Sequence, residues 1–149
     1  MFVVCPSQAL VPDVKKQPRP LPESQRVSPI VLQIQMPRDR RVKIAPIEWS
    51  QGFEYQVPTG QKMPLVMYAY NFSDATAEGI VKLENLPAGW TLEPKEWPMK
   101  IAPMDRQRFE AKLVIAATAD GKTPAGSVHL LGDFGTAGLS RLAFAIQGK

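Results

Sequence analysis

Arg108-Phe109-Glu110-Ala111-Lys112-Leu113-Val114-Ile115 decides how this chain folds. Phe109, Ala111, Leu113 and Ile115 share one parity, while Arg108, Glu110 and Lys112 take the other. Successive side chains of an extended strand point to opposite faces, so this run has one apolar face and one charged face. A helix would place its apolar residues three and four apart, which this run does not do.

The same alternation recurs in both directions from there. Toward the N-terminus, Ile30, Leu32, Ile34 and Met36 alternate with Val31, Gln33 and Gln35, and Phe53, Tyr55 and Val57 alternate with Glu54 and Gln56. Val81 and Leu83 oppose Lys82 and Glu84. Trp90 and Leu92 come next, and Trp97, Met99 and Ile101 oppose Pro98 and Lys100. The run 139–147 puts Leu142, Phe144 and Ile146 on one face. Leu65 to Phe72 is apolar or aromatic almost throughout, which predicts a central strand covered on both sides. Asn85-Leu86-Pro87-Ala88-Gly89, the loop 119–126 and the glycine-rich stretch 132–138 supply turns. About eight strands at roughly ten-residue intervals predict an all-β, immunoglobulin-like antiparallel β-sandwich. A Cys…Trp…Cys framework of the antibody kind is missing, because the chain has one cysteine.

The length, 149 residues, suits one domain with an extension. Prolines 6, 12, 18, 20, 22 and 29 punctuate a start without strand or helix periodicity, so residues 1–28 read as a Pro-rich linker or arm and 29–149 as the sandwich. A single His and a single Cys exclude most imidazole, thiolate and zinc chemistry. An enzyme would depend on carboxylates alone, and most of the 14 acids sit beside Lys or Arg on outward strand positions. The chain is therefore expected to be non-catalytic, with no cofactor and no metal. The net charge is +4, but the basic residues are scattered. The densest group, Arg38, Arg40, Arg41 and Lys43, reads as a solvated loop or edge, and no nucleic-acid partner is expected. No stretch approaches the ~18 apolar residues of a membrane span, so no membrane insertion is expected. Met1-Phe2-Val3-Val4-Cys5 is too short for the apolar region of a secretory leader.

Three segments carry a resemblance: Tyr70-Asn71-Phe72-Ser73-Asp74-Ala75-Thr76-Ala77-Glu78-Gly79, Leu86-Pro87-Ala88-Gly89-Trp90-Thr91-Leu92-Glu93-Pro94 and Ile101-Ala102-Pro103-Met104-Asp105-Arg106. Over residues 60–148 the chain resembles bacterial Ig-like accessory domains of the NEW3 type, which accompany glycoside hydrolases. The resemblance implies a β-sandwich appended to a carbohydrate-active enzyme, secreted, periplasmic or at the cell surface. A neighbouring catalytic domain would be one partner and a polysaccharide another. It brings over no catalytic residue. Residues 29–57 depart from the pattern and read as an added pair of strands.

Sugar binding on such modules uses aromatic rings with amides and carboxylates nearby. Trp49, in the polar stretch Ile47-Glu48-Trp49-Ser50-Gln51-Gly52, with Phe53 and Tyr55 after it and Glu48 and Gln51 alongside, is the first candidate surface; its alternative is packing of an added hairpin. Trp97 is a second candidate, although it shares a parity with Met99 and Ile101. Exposure of Trp49 or Trp97 beside another ring separates a binding module from a plain spacer or docking domain. Trp90 is expected to plug the end of the core, His129 to face outward, and Asp133 to make a turn hydrogen bond. Asn71, Asp74 and Glu78 could offer hard oxygen ligands to calcium, without an EF-hand spacing to support them. Asn71-Phe72-Ser73 also matches a glycosylation sequon.

Overall fold

A computed structural model describes residues 27–35, 41–46, 53–120, 122 and 124–149. Ten strands occur in this part: β1 (Ile30–Gln35), β2 (Lys43–Pro46), β3 (Phe53–Val57), β4 (Met63–Asn71), β5 (Ala77–Asn85), β6 (Trp90–Glu93), β7 (Glu96–Ile101), β8 (Arg106–Ile115), β9 (Ala125–Asp133) and β10 (Leu139–Gly148). They form a four-stranded sheet in the order β1-β4-β8-β6 and a six-stranded sheet in the order β2-β3-β10-β9-β5-β7. Every pairing is antiparallel except β3 with β10, a short parallel ladder in which Tyr55 faces Ile146 and Val57 faces Gly148. This is the immunoglobulin-like β-sandwich that the alternating runs predict. Most of the Pro-rich segment assigned to residues 1–28 lies outside the described residues.

The core forms where the inward parities of the two sheets meet. Leu65, Met67, Leu113 and Ile115 of the smaller sheet are fully buried, as are Val81, Leu130 and Ile146 of the larger one. Each such side chain contributes about 1.5–3 kcal/mol relative to leaving it in water. Phe109, Ala111, Leu113 and Ile115 all point inward, so the run that decides the fold also places β8 in the core.

The strand count exceeds the expected eight in part because β2 adds a short edge strand that the alternating runs do not include. The chain passes back and forth between the sheets: β1, β4, β6 and β8 belong to the smaller one, and β2, β3, β5, β7, β9 and β10 to the larger. One of these crossings, between β6 and β7, lies at the cis Glu93–Pro94 bond. It is written in the parity of buried positions, even at Trp90 and Leu92 and odd at Trp97, Met99 and Ile101.

Leu65 to Phe72 behaves differently from expectation. β4 is central in its sheet, but only one of its faces is covered: Met63, Leu65, Met67, Ala69 and Asn71 are buried, whereas Val66, Tyr68 and Tyr70 lie half-buried on the solvent side. In a two-layer sandwich the outer face of each sheet has no third layer to cover it.

The Leu86-Pro87-Ala88-Gly89-Trp90 turn works as a unit. Gly89 takes a φ of 79°, which a side chain would resist, and the Trp90 N–H donates to the Pro87 carbonyl at 3.2 Å. Trp90 is a core residue, as expected, and Gly126 leaves the space that Pro87 fills, since a Cβ there would collide with the proline ring.

Candidate functional site

The outer face of the smaller sheet collects the polar and aromatic side chains that the core excludes. Because β4 runs between β1 and β8, its outward residues acquire neighbours on both sides. Tyr70 pairs with Val31 and Arg106, Tyr68 with Gln33 and Arg108, and Val66 with Gln35 and Glu110. The alternation of β4 and the strand preference of tyrosine place Tyr68 and Tyr70 in one row, and Phe72 follows with the same parity. Phe72 is 59% exposed.

The rings are ordered with respect to one another. Tyr68 and Tyr70 have centroids 6.1 Å apart and planes at 41°, while Tyr70 and Phe72 are 6.0 Å apart with planes within 8° of parallel. Arg106 reaches over this row. Its guanidinium carbon lies 4.8 Å from the Tyr68 centroid and 5.9 Å from that of Tyr70, and its Nη1 donates to the Tyr70 hydroxyl at 3.4 Å. The Tyr70 hydroxyl contact and the Tyr70 charge at high pH hold the guanidinium pKa above its already high ordinary value. Gln33, Ile34, Gln35, Tyr68, Tyr70 and Arg106 line a shallow depression of about 310 Å³. The face thus offers aromatic surface, amide donors and acceptors, and a guanidinium fork to a ligand lying along the sheet.

The structure describes only some of the residues expected to bind. Trp49, Glu48 and Gln51 lie outside the described residues, and of Phe53 only its place at the start of β3 is described. Tyr55 is half-buried and packs against the core, in register with Ile44 and Ile146. Trp97 lies in the core. It is 6% exposed, its ring tilts at 56° against Phe109 with centroids 5.3 Å apart, and its Nε1 donates to the Glu110 carbonyl at 2.8 Å. Its shared parity with Met99 and Ile101 is the physical reason: that parity faces the core. The aromatic row at Tyr68, Tyr70 and Phe72 escapes a reading by apolar content, because tyrosine counts as apolar in the run. The signal was the placing of both hydroxyls on even positions, opposite Met67 and Ala69.

Asn71 proves structural. It is 1% exposed, its Nδ2 shares two hydrogens among the carbonyls of Ala75, Ile101 and Ala102 at 2.8–3.1 Å, and its Oδ1 accepts from the Ser73 N–H and hydroxyl. The amide oxygen is thereby consumed, and Glu78 turns to Lys100 at 2.7 Å, so the calcium arrangement does not assemble. Burial of the Asn71 amide also removes it as a glycosylation acceptor. Among the described residues no group of three or more His, Cys, Asp or Glu side chains could hold a metal ion. Among them no helix is long and apolar enough to cross a membrane. Asp133 accepts from the Gly135 N–H at 3.0 Å, the turn bond expected of it, and His129 sits on the parity opposite Val128 and Leu130.

No family model matches the chain, and no curated protein matches it. Solved structures do. A protein of unknown function from Porphyromonas gingivalis W83 shares 12% identity over 78% of this chain and 46% of its own, with a TM-score of 0.43. The periplasmic chaperone SfaE shares 14% identity over 79% of this chain and 56% of its own, with a TM-score of 0.45. PapD-like domain 7 of human CEP192 shares 8% identity over 77% of this chain and 88% of its own, with a TM-score of 0.39. The chain spans about half the length of the first two.

Proposed function

We propose that this chain is a non-catalytic binding module, an accessory domain of a carbohydrate-active enzyme, and that it holds a polysaccharide along the outer face of the smaller sheet. One observation carries the reading: Tyr68 and Tyr70 stand on the solvent side of the smaller sheet with Phe72 in line just past the end of β4, flanked by the amides of Gln33 and Gln35. Pyranose rings present C–H faces to aromatic surfaces and hydroxyls to amides, and a strand supplies rings at regular steps along a polymer. A few such contacts, each worth about 1 kcal/mol, give micromolar-to-millimolar affinity. This reading puts the binding surface on β4, whereas the Trp49 segment lies outside the described residues. A ligand outside the cell goes with a secreted, periplasmic or cell-surface location.

The test is retention of the purified chain on insoluble cellulose, xylan, mannan and chitin and on immobilised pectin, with Tyr70→Ala and Phe72→Ala beside it. The expected result is retention on at least one polymer and a loss of about tenfold in each variant, a change of ~1.4 kcal/mol, at unchanged thermal midpoint. Retention that neither variant alters would sink the reading. A second reading, a docking domain for a neighbouring catalytic domain, is favoured by Met104. That residue is 73% exposed, and its N–H donates to the Ser73 carbonyl at 3.2 Å, which adds an apolar side chain at the Phe72 end of the row. Failure on every polymer would transfer the weight to this second reading.

A further inference from the structure

Resting on that reading, we infer that the polymer is acidic and that Arg106 receives the carboxylate of a uronic acid residue. The inference begins with how the guanidinium is held. Arg108 pairs with Glu110 and Arg141 with Glu84, yet among the described residues no carboxylate lies within ion-pairing distance of Arg106. The nearest acid in sequence, Asp105, acts on the guanidinium by its charge without an ion-pair contact, and its Oδ1 accepts the Arg106 backbone N–H at 2.8 Å. What Arg106 does contact is two tyrosine rings and one phenolic hydroxyl, which orient the fork without neutralising its charge.

A planar guanidinium fixed in this way matches a carboxylate by two parallel hydrogen bonds, with the charge-assisted strength that a sugar hydroxyl does not provide. It also lies across the Tyr68 ring, so that part of the aromatic row is not free for stacking by a neutral sugar. Phe72, beyond the reach of Arg106 in these contacts, keeps its exposed ring for the C–H face of an adjoining residue, and Gln33 and Gln35 line the depression for hydroxyls. One charged position beside apolar and amide positions fits a polymer in which a carboxylate recurs on a pyranose backbone.

The experiment is affinity electrophoresis of the full chain in gels containing polygalacturonate, alginate, hydroxyethylcellulose or glucomannan, with carboxyl-reduced polygalacturonate as the matched neutral backbone. Retardation by a uronate polymer, at least tenfold weaker once its carboxyls are reduced and weakening as salt rises from low to high, is the expected result. Arg106→Gln should abolish it, Arg106→Lys should keep a part, and Lys62→Gln, which removes the same charge from an exposed position before β4, should leave it intact. An equal loss in Lys62→Gln would mean unspecific attraction of a polyanion to a basic chain and would overturn the inference. Equal binding of the reduced polymer, or binding of neutral polymers alone, overturns the acidic ligand and leaves the polysaccharide reading standing. Retardation by none of the polymers removes both.

Discussion

Asn71 shows how much a single amide does in this domain. It ties the turn between β4 and β5 to the turn between β7 and β8, because its one side chain serves the carbonyls of Ala75, Ile101 and Ala102 while accepting from Ser73. No other residue type of this size supplies two donors and an acceptor at once. Replacement by Ala strands several buried polar groups, and the expected cost is about 2–4 kcal/mol of stability, readable as a lower urea midpoint at unchanged m-value. A loss below ~0.5 kcal/mol would show that water replaces the bracket without penalty. The Asn-x-Ser signature was legible in the sequence as part of a strand end, but three functions were open to it there. Only the packing of two turns around it selects the structural one.

Among the elements, legibility follows the number of faces that the core decides. β8 and the described part of β1 each turn one parity to the core and the other outward, with Ile34 half-buried and Met36 outside the described residues. β4 was legible as a strand and not as a platform, since Tyr68 and Tyr70 lie among apolar neighbours and only the register with Gln33, Arg106 and Arg108 reveals their side as wet. Trp97 is the converse: an aromatic beside Glu96 and Lys95 in sequence, it follows its parity inward. The crossing from β6 to β7 also sets up a cross-strand pair on the larger sheet, Glu78 on β5 with Lys100 on β7. The Lys100 hydrogen bond and charge hold the Glu78 carboxyl below its ordinary value, and Glu78 raises Lys100 in the same way. A depressed carboxylate stabilises the fold above its unfolded pKa and loses that contribution as pH falls through the folded value. A raised ammonium contributes below its unfolded pKa and loses the contribution as pH rises through the folded one. Glu78→Gln should therefore melt slightly below the parent at pH 7, and the gap should close as pH falls below the ordinary carboxylate range, as it rises above the ordinary lysine range, and in 1 M salt, as for exposed ion pairs in general. A gap that stays constant as pH falls from 7 to well below the carboxylate range would assign the effect to packing.

At the scale of the whole molecule, strands that pair are far apart along the chain: β1 with β4, β4 with β8, β3 with β10. Such topologies bear the loop-closure entropy before the contacts that offset it form, and all-β sandwiches accordingly fold in milliseconds to seconds. Refolding on denaturant dilution, followed through the fluorescence of the buried Trp90 and Trp97, should fall in that range; completion within microseconds would contradict the sandwich topology. The fold class was legible at this scale because alternation and turn spacing repeat along most of the chain. The pairing order was not, because parity says which face of a strand is dry but nothing about its neighbours.

The larger sheet ends at β7, whose free edge is not left bare. Pro98 has no N–H to offer, and the Gln107 side chain of the facing sheet occupies the groups beside it, its Oε1 accepting from the Lys100 N–H at 2.9 Å and its Nε2 donating to the Pro98 carbonyl at 3.4 Å. One glutamine amide thus stands in for a missing strand and withholds the template on which a stranger's backbone would zip. The consequence is colloidal: a second copy that meets this border finds the Lys100 N–H and the Pro98 carbonyl already spoken for, which works against strand-by-strand growth at that edge.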